Sequence, residues 1–346
     1  MANQPVAVGS TARDDLLTIV IPTRNRTGLL ASCLRSVFEK QLSHPRVIVS
    51  DNSHPSPADI EPLRRRYAFE YVRQSGTLSI VEHFNACLNL ARTRWVLLLH
   101  DDDELYPHCL THLEAYLAQY EDAGIGIIVG GVERIDADGS ISGRWVHENP
   151  GIHRGEEAVL ALGLNRHPYA PSTILGVSEV RRRGGYRNVG ALPLPADSTL
   201  DLTLAYLHGV AFLPHVIGRY REGHAQQSQV STPDKIRAWL RFMAEMAERV
   251  GDSGCPERTI RKLVDYWVWS FLPWMVDVWW EIDRRFVFEL CDECLRLSPE
   301  PGEWQRRIRR DFPFLFWRPR WCAWPLFRVR RKVAYLSGRG AWKRGT

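Results

Sequence analysis

A short apolar run that ends in a cluster of acids is the feature that most constrains this chain. Residues 96–99, Val-Leu-Leu-Leu, predict a strand that is buried on both faces, as in a parallel sheet. The next five residues, His-Asp-Asp-Asp-Glu at 100–104, place four carboxyl groups where that strand ends. Because clustered carboxylates repel one another and lose hydration, they need a cation or another positive group beside them. The alternative is a solvated acidic turn that caps the next helix.

The position of these acids at the end of a strand indicates what could lie beside them. Open α/β sheets bind their ligands at the carboxyl ends of parallel strands. Carboxylate oxygens are hard ligands, and among divalent ions they select Mg²⁺ or Mn²⁺. We therefore expect a Mn²⁺ or Mg²⁺ site here, and such an ion would in turn hold a diphosphate.

Strands and helices alternate through the first third of the chain. Apolar runs predict buried strands near 16–21, 46–50, 69–72, 96–99 and 124–132. Apolar residues at helical spacing occupy the intervals between them. This alternation predicts an α/β fold with a parallel sheet and right-handed crossovers, and it favours a nucleotide-binding half in this part of the chain.

Composition favours a globular protein that does not span a membrane. Hydrophobic residues make up 45% of the 346 residues and charged residues 25%, as in ordinary soluble domains. No apolar run approaches the roughly 20 residues that a membrane-spanning helix needs. The seven cysteines form no disulfide ladder, and without a signal peptide this odd number predicts a reducing cytoplasm. Cys291 and Cys294 form a lone Cys-x-x-Cys pattern, which is more typical of structural thiols than of a zinc site.

Four motifs, taken in order, resemble those of the family 2 glycosyltransferases, which have the GT-A fold. They are Ile-Pro-Thr-Arg-Asn-Arg at 21–26, Val-Ser-Asp-Asn-Ser at 49–53, the segment 76–85, and the segment 91–103 that contains the acids. The resemblance is strong over residues 16–135, weaker over 136–230 and absent beyond. It implies a Rossmann-like, mostly parallel central sheet and an inverting enzyme of the bacterial surface-polysaccharide class.

The resemblance also implies which residues hold the nucleotide sugar. The residues at these positions are Pro22, Thr23, Arg24, Asp51, Asn85 and Asp101. The first three would line the nucleoside pocket. Asp51 would accept a hydrogen bond from a base N–H, an arrangement that suits uracil or thymine.

The metal-binding residues follow from the same resemblance, with one departure from the family pattern. Asp102 would bind the metal, with Asp101 and Asp103 beside it through direct or water-mediated contacts. The first acid of the family's Asp-x-Asp pattern falls at His100 when Pro107 sets the register. Which of the carboxylates touch the metal therefore stays open.

The acceptor side is implied by two later segments. An inverting transfer needs one carboxylate as general base near the acceptor. The best candidate is Asp197, at the start of an apolar helix, with Asp201 as the competitor one helical turn later; the alternative is that Asp197 merely caps the helix. The segment 220–224 resembles a Tyr-Arg-x-His motif of the family, in which His224 or Arg221 could reach the metal or the diphosphate. The alternative for His224 is an ordinary position in a surface loop.

The sequence and the resemblance together predict four segments. They are a disordered lead-in at 1–15, a nucleotide-sugar-binding α/β half at 16–135, an acceptor-binding half at 136–234, and a helical, Trp- and Arg-rich C-terminal region at 235–346.

The C-terminal region ends in a basic, aromatic tail. Residues 301–346 contain thirteen Lys or Arg and only two acids, and residues 313–336 interleave Arg with Trp and Phe. Such a segment suits a membrane interface, where rings lie at headgroup level and cations meet anionic lipid. Packing against the rest of the protein is the main alternative, with Arg stems covering apolar surface. Nucleic-acid binding is disfavoured because three prolines interrupt the segment and no binding motif accompanies it.

These observations predict a metal-dependent glycosyltransferase, of hexosyl or deoxyhexosyl type. It would move a sugar from a UDP- or dTDP-activated donor to a saccharide or a lipid-linked saccharide, at the inner face of the cytoplasmic membrane. A sugar-nucleotide nucleotidyltransferase is one alternative, but that class needs a Gly-rich loop after its first strand, and residues 22–26 contain no glycine. The other alternative is a non-catalytic scaffold on the membrane surface that retains the fold, for which the loss of the acid at position 100 is the one argument.

Overall fold

The described part of the chain forms two compact units. The computed structural model describes residues 16–43, 45–54, 60–164, 170–187, 197–222, 232–279 and 282–316. The first unit draws on Met1–Ala158, His167–Arg187 and Leu204–Ala225, and the second on Val159–Arg166, Asn188–Thr203 and Gln226–Thr346. No helix in the described ranges is both long and apolar enough to cross a membrane.

One sheet organises the first unit. Its strands are β1 (Leu17–Thr23), β2 (Arg46–Asp51), β3 (Glu70–Arg73), β4 (Trp95–Leu98), β5 (Glu104–Leu105), β6 (Ile127–Ile135), β7 (Ile141–Trp145), β8 (Gly151–His153), β9 (Thr173–Gly176) and β10 (Val210–Arg221). They lie in the order β3-β2-β1-β4-β9-β6-β10-β5, with β7 paired to β6 and β8 paired to β10. Along the described main order, all strands except β9 and β5 run in the same direction. The predicted α/β fold with a mostly parallel central sheet is confirmed.

Helices connect these strands and continue through the second unit. They are α1 (Thr27–Phe38), α2 (Ile60–Arg66), α3 (Ile80–Leu90), α4 (Cys109–Tyr120), α5 (Gly155–Leu164), α6 (Val177–Arg183), α7 (Asp197–His208), α8 (Pro233–Gly251), α9 (Glu257–Trp279), α10 (Arg284–Leu297) and α11 (Glu303–Asp311). The capping residue Ser79 fixes the start of α3, since its hydroxyl accepts from Glu82 N while the Glu82 carboxylate accepts from Ser79 N.

The central strands are apolar because the sheet buries them on both faces. All seven residues of β1 and all four of β4 are buried, and Trp95, Ile19 and Leu97 are among the largest fully buried side chains. β1, β2 and β4 are parallel neighbours, so their carboxyl ends lie at one edge of the sheet. The polar residues that follow each strand are therefore brought together there, although they are distant in sequence.

Two parts of the sheet differ from the strand pattern predicted from sequence. β9, at a position where no strand was predicted, inserts antiparallel between β4 and β6. β10 runs from Val210 to Arg221, although the apolar run at its start ends at Leu213. Its pairing with β6 shifts register between Phe212 and Val216 and again before Gly218, and such bulges break the period of two by which a strand is recognised.

The second unit is helical, in agreement with the predicted helical C-terminal region. Its tryptophans provide packing: Trp269 is fully buried, and Trp267 Nε1 donates to the carbonyl of Gly163 at 2.8 Å. The carboxylate of Asp265 on α9 accepts from the backbone N–H groups of Trp304 and Gln305, and thereby caps α11. Of the predicted tail at 313–336, only residues 313–316 fall within the described ranges.

Candidate functional site

The candidate site lies at the sheet edge where β1, β2 and β4 end. Thr23 at the end of β1 pairs in register with Asp51 at the end of β2, and Asn52 N donates to Thr23 O at 2.9 Å. After β4, Leu99 N donates to Val20 O at 3.0 Å, which directs the following acids toward the loop after β1.

Asp51 is fully buried, and its carboxylate is held in one orientation. Its Oδ1 accepts from Ser53 N at 2.8 Å, and its Oδ2 accepts from the Tyr71 hydroxyl at 2.6 Å. Beside it, the buried ring of His83 lies 3.1 Å from both the hydroxyl and the carbonyl oxygen of Ser50. Burial lowers the pKa of His83, so that this ring is neutral near pH 7.

The run 101–104 is held by partners from three other segments. Asp101 Oδ2 accepts from the Thr23 hydroxyl at 2.7 Å, and Arg26 Nη1 lies 3.0 Å from Asp102 Oδ2. Asp103 Oδ1 accepts from Arg221 N at 3.0 Å. Asp103 Oδ2 is buried and accepts no hydrogen bond from the described residues.

Arg221 fixes the backbone of this acidic run. It is 8% exposed, its Nε donates to Asp102 O at 3.1 Å, and its Nη2 donates to Glu104 Oε1 at 2.6 Å. Lys40 Nζ pairs with the other carboxylate oxygen of Glu104 at 3.2 Å. The suggested contact of Arg221 with a metal or a diphosphate stays a prediction, and the contacts that the structure gives it are to the acidic run itself.

Burial shifts the proton affinity of the acids. It raises the pKa of Asp101 to about 6; the hydrogen bond from Thr23 lowers that pKa, the charge of Asp102 raises it and Arg26 lowers it. Burial and the charge of Asp102 likewise raise the pKa of Asp103 well above its ordinary value. In the described contacts, three cations (Arg26, Lys40 and Arg221) face four carboxylates, so an added cation would stabilise the ionised cluster.

Three side chains at this edge could hold a metal ion. One potential ligand atom from each of His100, Asp102 and Asp103 lies within 4.8 Å of the other two. His100 Nδ1 is 3.9 Å from Asp103 Oδ2, and the His100 ring packs 5.1 Å from the ring of Phe84, measured between centroids. The unpartnered Asp103 Oδ2 and this set of carboxylate and imidazole donors fit a divalent metal. The departure from the family pattern thus places an imidazole where the pattern has its first acid.

The other residues predicted to bind the nucleotide-sugar donor differ in their burial and contacts. Pro22 is buried in β1 and Arg24 is exposed in the loop that follows. The side-chain amide of Asn85 makes two hydrogen bonds to the backbone of one residue, since its Nδ2 donates to Tyr186 O at 2.9 Å and its Oδ1 accepts from Tyr186 N at 2.8 Å. Gly185, with φ of +75°, permits this approach, because a Cβ there would lie 2.3 Å from Asn85 Oδ1. A donor contact of Asn85 stays a prediction.

The predicted acceptor-side residues are only partly described. Asp197 is the first residue of α7 and its side chain lies outside the described atoms, while Asp201 lies one turn later and is 3% exposed. His224 lies outside the described residues. The general-base assignment to Asp197 or Asp201 stays a prediction.

Sequence reasoning missed the partners that orient the site. Arg26, Tyr71, His83 and Lys40 each contact a predicted site residue or its neighbour, and none of them was singled out. Arg26 belongs to the first family motif, and this position was a sequence signal that it lies at the site. Tyr71 and Lys40 carried none, because nothing in a single sequence marks which side chain reaches a residue in another strand.

Comparison with known proteins agrees with this geometry. Residues 18–159, which contain the ends of β1, β2 and β4, match the family model described as Glycosyl transferase family 2. This segment is a family 2 glycosyltransferase domain. An uncharacterized protein of Mycobacterium tuberculosis is 28% identical to the chain over 287 residues, covering 76% of this chain and 84% of that protein.

Solved structures of TarS from S. aureus resemble this chain over most of its length. TarS 1-349 in complex with UDP-GlcNAc gives a TM-score of 0.61 at 12% identity, with 87% of this chain and 86% of that chain covered. TarS 1-349 without a named ligand gives 0.58 at 13% identity with the same coverage, and its UDP complex gives 0.57 at 12% identity, covering 82% and 81%. At these identities the likeness concerns the fold, and it supports the GT-A architecture.

Proposed function

We propose that this glycosyltransferase moves a sugar from a UDP- or dTDP-activated donor to a saccharide or lipid-linked saccharide, with Mn²⁺ or Mg²⁺ bound at the acidic run. The observation that carries the proposal is that the metal-fitting set His100, Asp102 and Asp103 lies at the same sheet edge as the buried, oriented carboxylate of Asp51. A nucleoside diphosphate needs a base-recognition group and charge neutralisation at its phosphates, and this sheet edge offers both kinds of group. The UDP and UDP-GlcNAc complexes of TarS support a uridine donor.

Asp51 would recognise the base. Each carboxylate oxygen has two lone pairs, so Asp51 can accept from a base N–H while keeping its bonds to Ser53 N and Tyr71. Uracil and thymine present one such N–H between two carbonyl groups. With both oxygens already fixed, the carboxylate would lose little side-chain entropy when the base binds.

The acids at 101–103 would serve the diphosphate through the metal. A bound divalent ion supplies Lewis-acid neutralisation of the charge that develops on the leaving diphosphate. The residues that would hold it are His100, Asp102 and Asp103, with Asp101 adjacent and hydrogen-bonded to Thr23. Arg221, by fixing the backbone of Asp102 and the carboxylates of Asp103 and Glu104, would keep the ligand atoms in place.

The acceptor hydroxyl would lose its proton to Asp197 or, as the competitor, to Asp201. In an inverting transfer the base acts on the face of the anomeric carbon opposite the leaving group. Both carboxylates belong to the first turns of α7, and they would be supplied by the acceptor-binding half at 136–234. The basic tail at 313–336 would hold the enzyme against the inner face of the cytoplasmic membrane, where lipid-linked acceptors are found.

The deciding experiment measures release of free nucleotide from a panel of UDP-, dTDP- and GDP-sugars, with Mn²⁺, with Mg²⁺ and with a chelator. We expect slow hydrolysis of one donor, abolished by the chelator and in Asp102→Asn. The matched control is Asp122→Asn, which removes an exposed acid in the turn after α4. Turnover that persists at the wild-type rate in Asp102→Asn would refute the metal assignment. If no donor is hydrolysed and none raises the melting temperature, the non-catalytic scaffold becomes the better explanation.

A further inference from the structure

Arg26 places an exposed positive charge against the acids that fit a metal. Its Nη1 is 3.0 Å from Asp102 Oδ2 and 3.5 Å from Asp101 Oδ1. It reaches them from the loop between β1 and α1, which Asn25 turns with a left-handed φ of 57° while its N–H donates to Ser53 Oγ at 2.8 Å. The backbone therefore holds the base of Arg26 in a defined place beside the site.

The partners differ in how exposed their side chains are. The Arg26 side chain is 37% exposed, whereas those of Asp101 and Asp102 are 7% and 13% exposed. Arg221, in contrast, is 8% exposed and is bound to the acidic run by several hydrogen bonds. Arg26 can therefore leave its carboxylates for another anion without unpacking the core, and Arg221 cannot.

We propose that Arg26 is an internal counter-cation that competes with the divalent metal for Asp102 in the free enzyme and transfers to the donor diphosphate when metal and donor bind together. The inference rests on the proposed function, because it takes the metal and the nucleoside diphosphate as the ligands of this site. Guanidinium groups pair well with phosphate oxygens, so the diphosphate offers Arg26 a replacement for the carboxylate that it gives up.

The physical consequence is cooperative binding of metal and donor. Metal alone must displace Arg26 from Asp102 and leave it without an anionic partner. When a diphosphate is present, the displaced guanidinium gains a partner, so each ligand raises the affinity for the other by the same factor. The enzyme would therefore hold little metal until a donor arrives.

The test measures Mn²⁺ affinity directly, from the electron paramagnetic resonance signal of free Mn²⁺, with and without UDP. For the wild type we expect UDP to tighten Mn²⁺ binding at least about fivefold. In Arg26→Gln, Mn²⁺ alone should bind about two- to fivefold more tightly than in the wild type, and the effect of UDP should shrink. Arg26→Lys, which keeps the charge, should retain most of the coupling.

The control is Arg46→Gln, which removes an equal charge from a surface ion pair with Glu70 on β2 and β3. It should leave Mn²⁺ affinity and the effect of UDP unchanged. If Arg26→Gln matches the wild type while UDP still tightens Mn²⁺ binding, the role of Arg26 is refuted and the metal site stands. If Mn²⁺ binds to neither protein, with or without UDP, the metal assignment fails and this proposal fails with it.

Discussion

The hydroxyl of Tyr71 on β3 donates a hydrogen bond of 2.6 Å to Oδ2 of Asp51, the buried carboxylate at the end of β2. Because β2 and β3 are parallel neighbours, with Ser50 opposite Val72 and Asp51 opposite Arg73, this contact fixes the carboxylate from the adjacent strand. Tyr71 therefore holds in one orientation the carboxylate that we propose recognises the base.

Removal of this hydroxyl should weaken donor binding without changing the chemical step. Tyr71→Phe should raise the donor KM about fivefold, corresponding to roughly 1 kcal/mol, the typical net contribution of one hydrogen bond, with kcat nearly unchanged. Tyr67→Phe is a matched control, since it removes a hydroxyl that donates to Glu39 at 2.8 Å, outside the site. Steady-state kinetics over a range of donor concentrations measures both effects. An equal KM in the two variants would argue against a role for Asp51 in recognising the base.

His100 should determine which metal the site prefers. Imidazole favours Mn²⁺ and later transition metals over Mg²⁺, whereas an all-carboxylate set suits Mg²⁺ well. We expect His100→Ala to weaken Mn²⁺ binding at least about tenfold. Even the loss of an outer-shell hydrogen-bond partner of a metal ligand lowers metal affinity by about 10- to 100-fold. His100→Asp should restore binding and shift the preference toward Mg²⁺.

Direct titration of Mn²⁺ and Mg²⁺ in the presence of UDP checks this expectation. His112→Ala, which removes an exposed ring on α4, serves as the control and should change neither affinity. Unchanged metal preference in His100→Asp would show that the imidazole is outside the coordination sphere.

Asn85 gives a prediction that separates a structural role from a donor contact. Asn85→Ala removes two hydrogen bonds to the backbone N–H and C=O of Tyr186 and should destabilise the fold by about 1–3 kcal/mol. Asn89→Ala, one helical turn later on the exposed side of α3, should have little effect. Thermal unfolding measures the stability, and the donor KM of the folded fraction measures binding. A raised KM with unchanged stability would instead support the donor contact predicted from the sequence.

Acidification should lower the stability of the second, helical unit, because it protonates the carboxylate of Glu293. Burial raises the pKa of this carboxyl, but the hydrogen bonds and charges of Arg241 and Arg296 outweigh burial and lower the pKa overall. A lowered folded-state pKa contributes stability above the ordinary Glu pKa of about 4.3, and this contribution is lost as the pH falls through the folded-state value. Glu293→Gln should therefore melt at a lower temperature near pH 7.

The melting temperature, followed by circular dichroism between about pH 7 and pH 3, measures this linkage. The variant should lose less stability than the wild type on acidification, because it lacks the titrating group. Glu248→Gln, an exposed acid on α8, should follow the wild-type curve. Parallel curves for the wild type and Glu293→Gln would contradict the assignment.

Sequence patterns predicted the central strands because burial on both faces leaves an unambiguous apolar run. β1, β2 and β4 were placed in this way, and the family motifs located the polar residues that follow them. β9 was missed because its four residues are all buried, so they show no alternation of apolar and polar side chains that would identify a strand, and they follow a proline-containing segment. The pairings of Arg26 with Asp102 and of Arg221 with Glu104 join residues 76 and 117 positions apart, and no local pattern encodes such contacts. The motifs therefore indicated where the site lies, and the sheet determined what holds it.

The bond between Arg221 and Glu104 also has a consequence for biosynthesis. After the ribosome has added Glu104 to the chain, it must add 117 further residues before Arg221, whose guanidinium pairs with the Glu104 carboxylate, is present. At about 5–20 residues per second, the nascent chain carries its four adjacent acids for roughly 6–23 s without that counter-charge. The acidic segment is therefore expected to reach its final conformation late in translation, and chains that terminate before Arg221 should be cleared as unfolded protein.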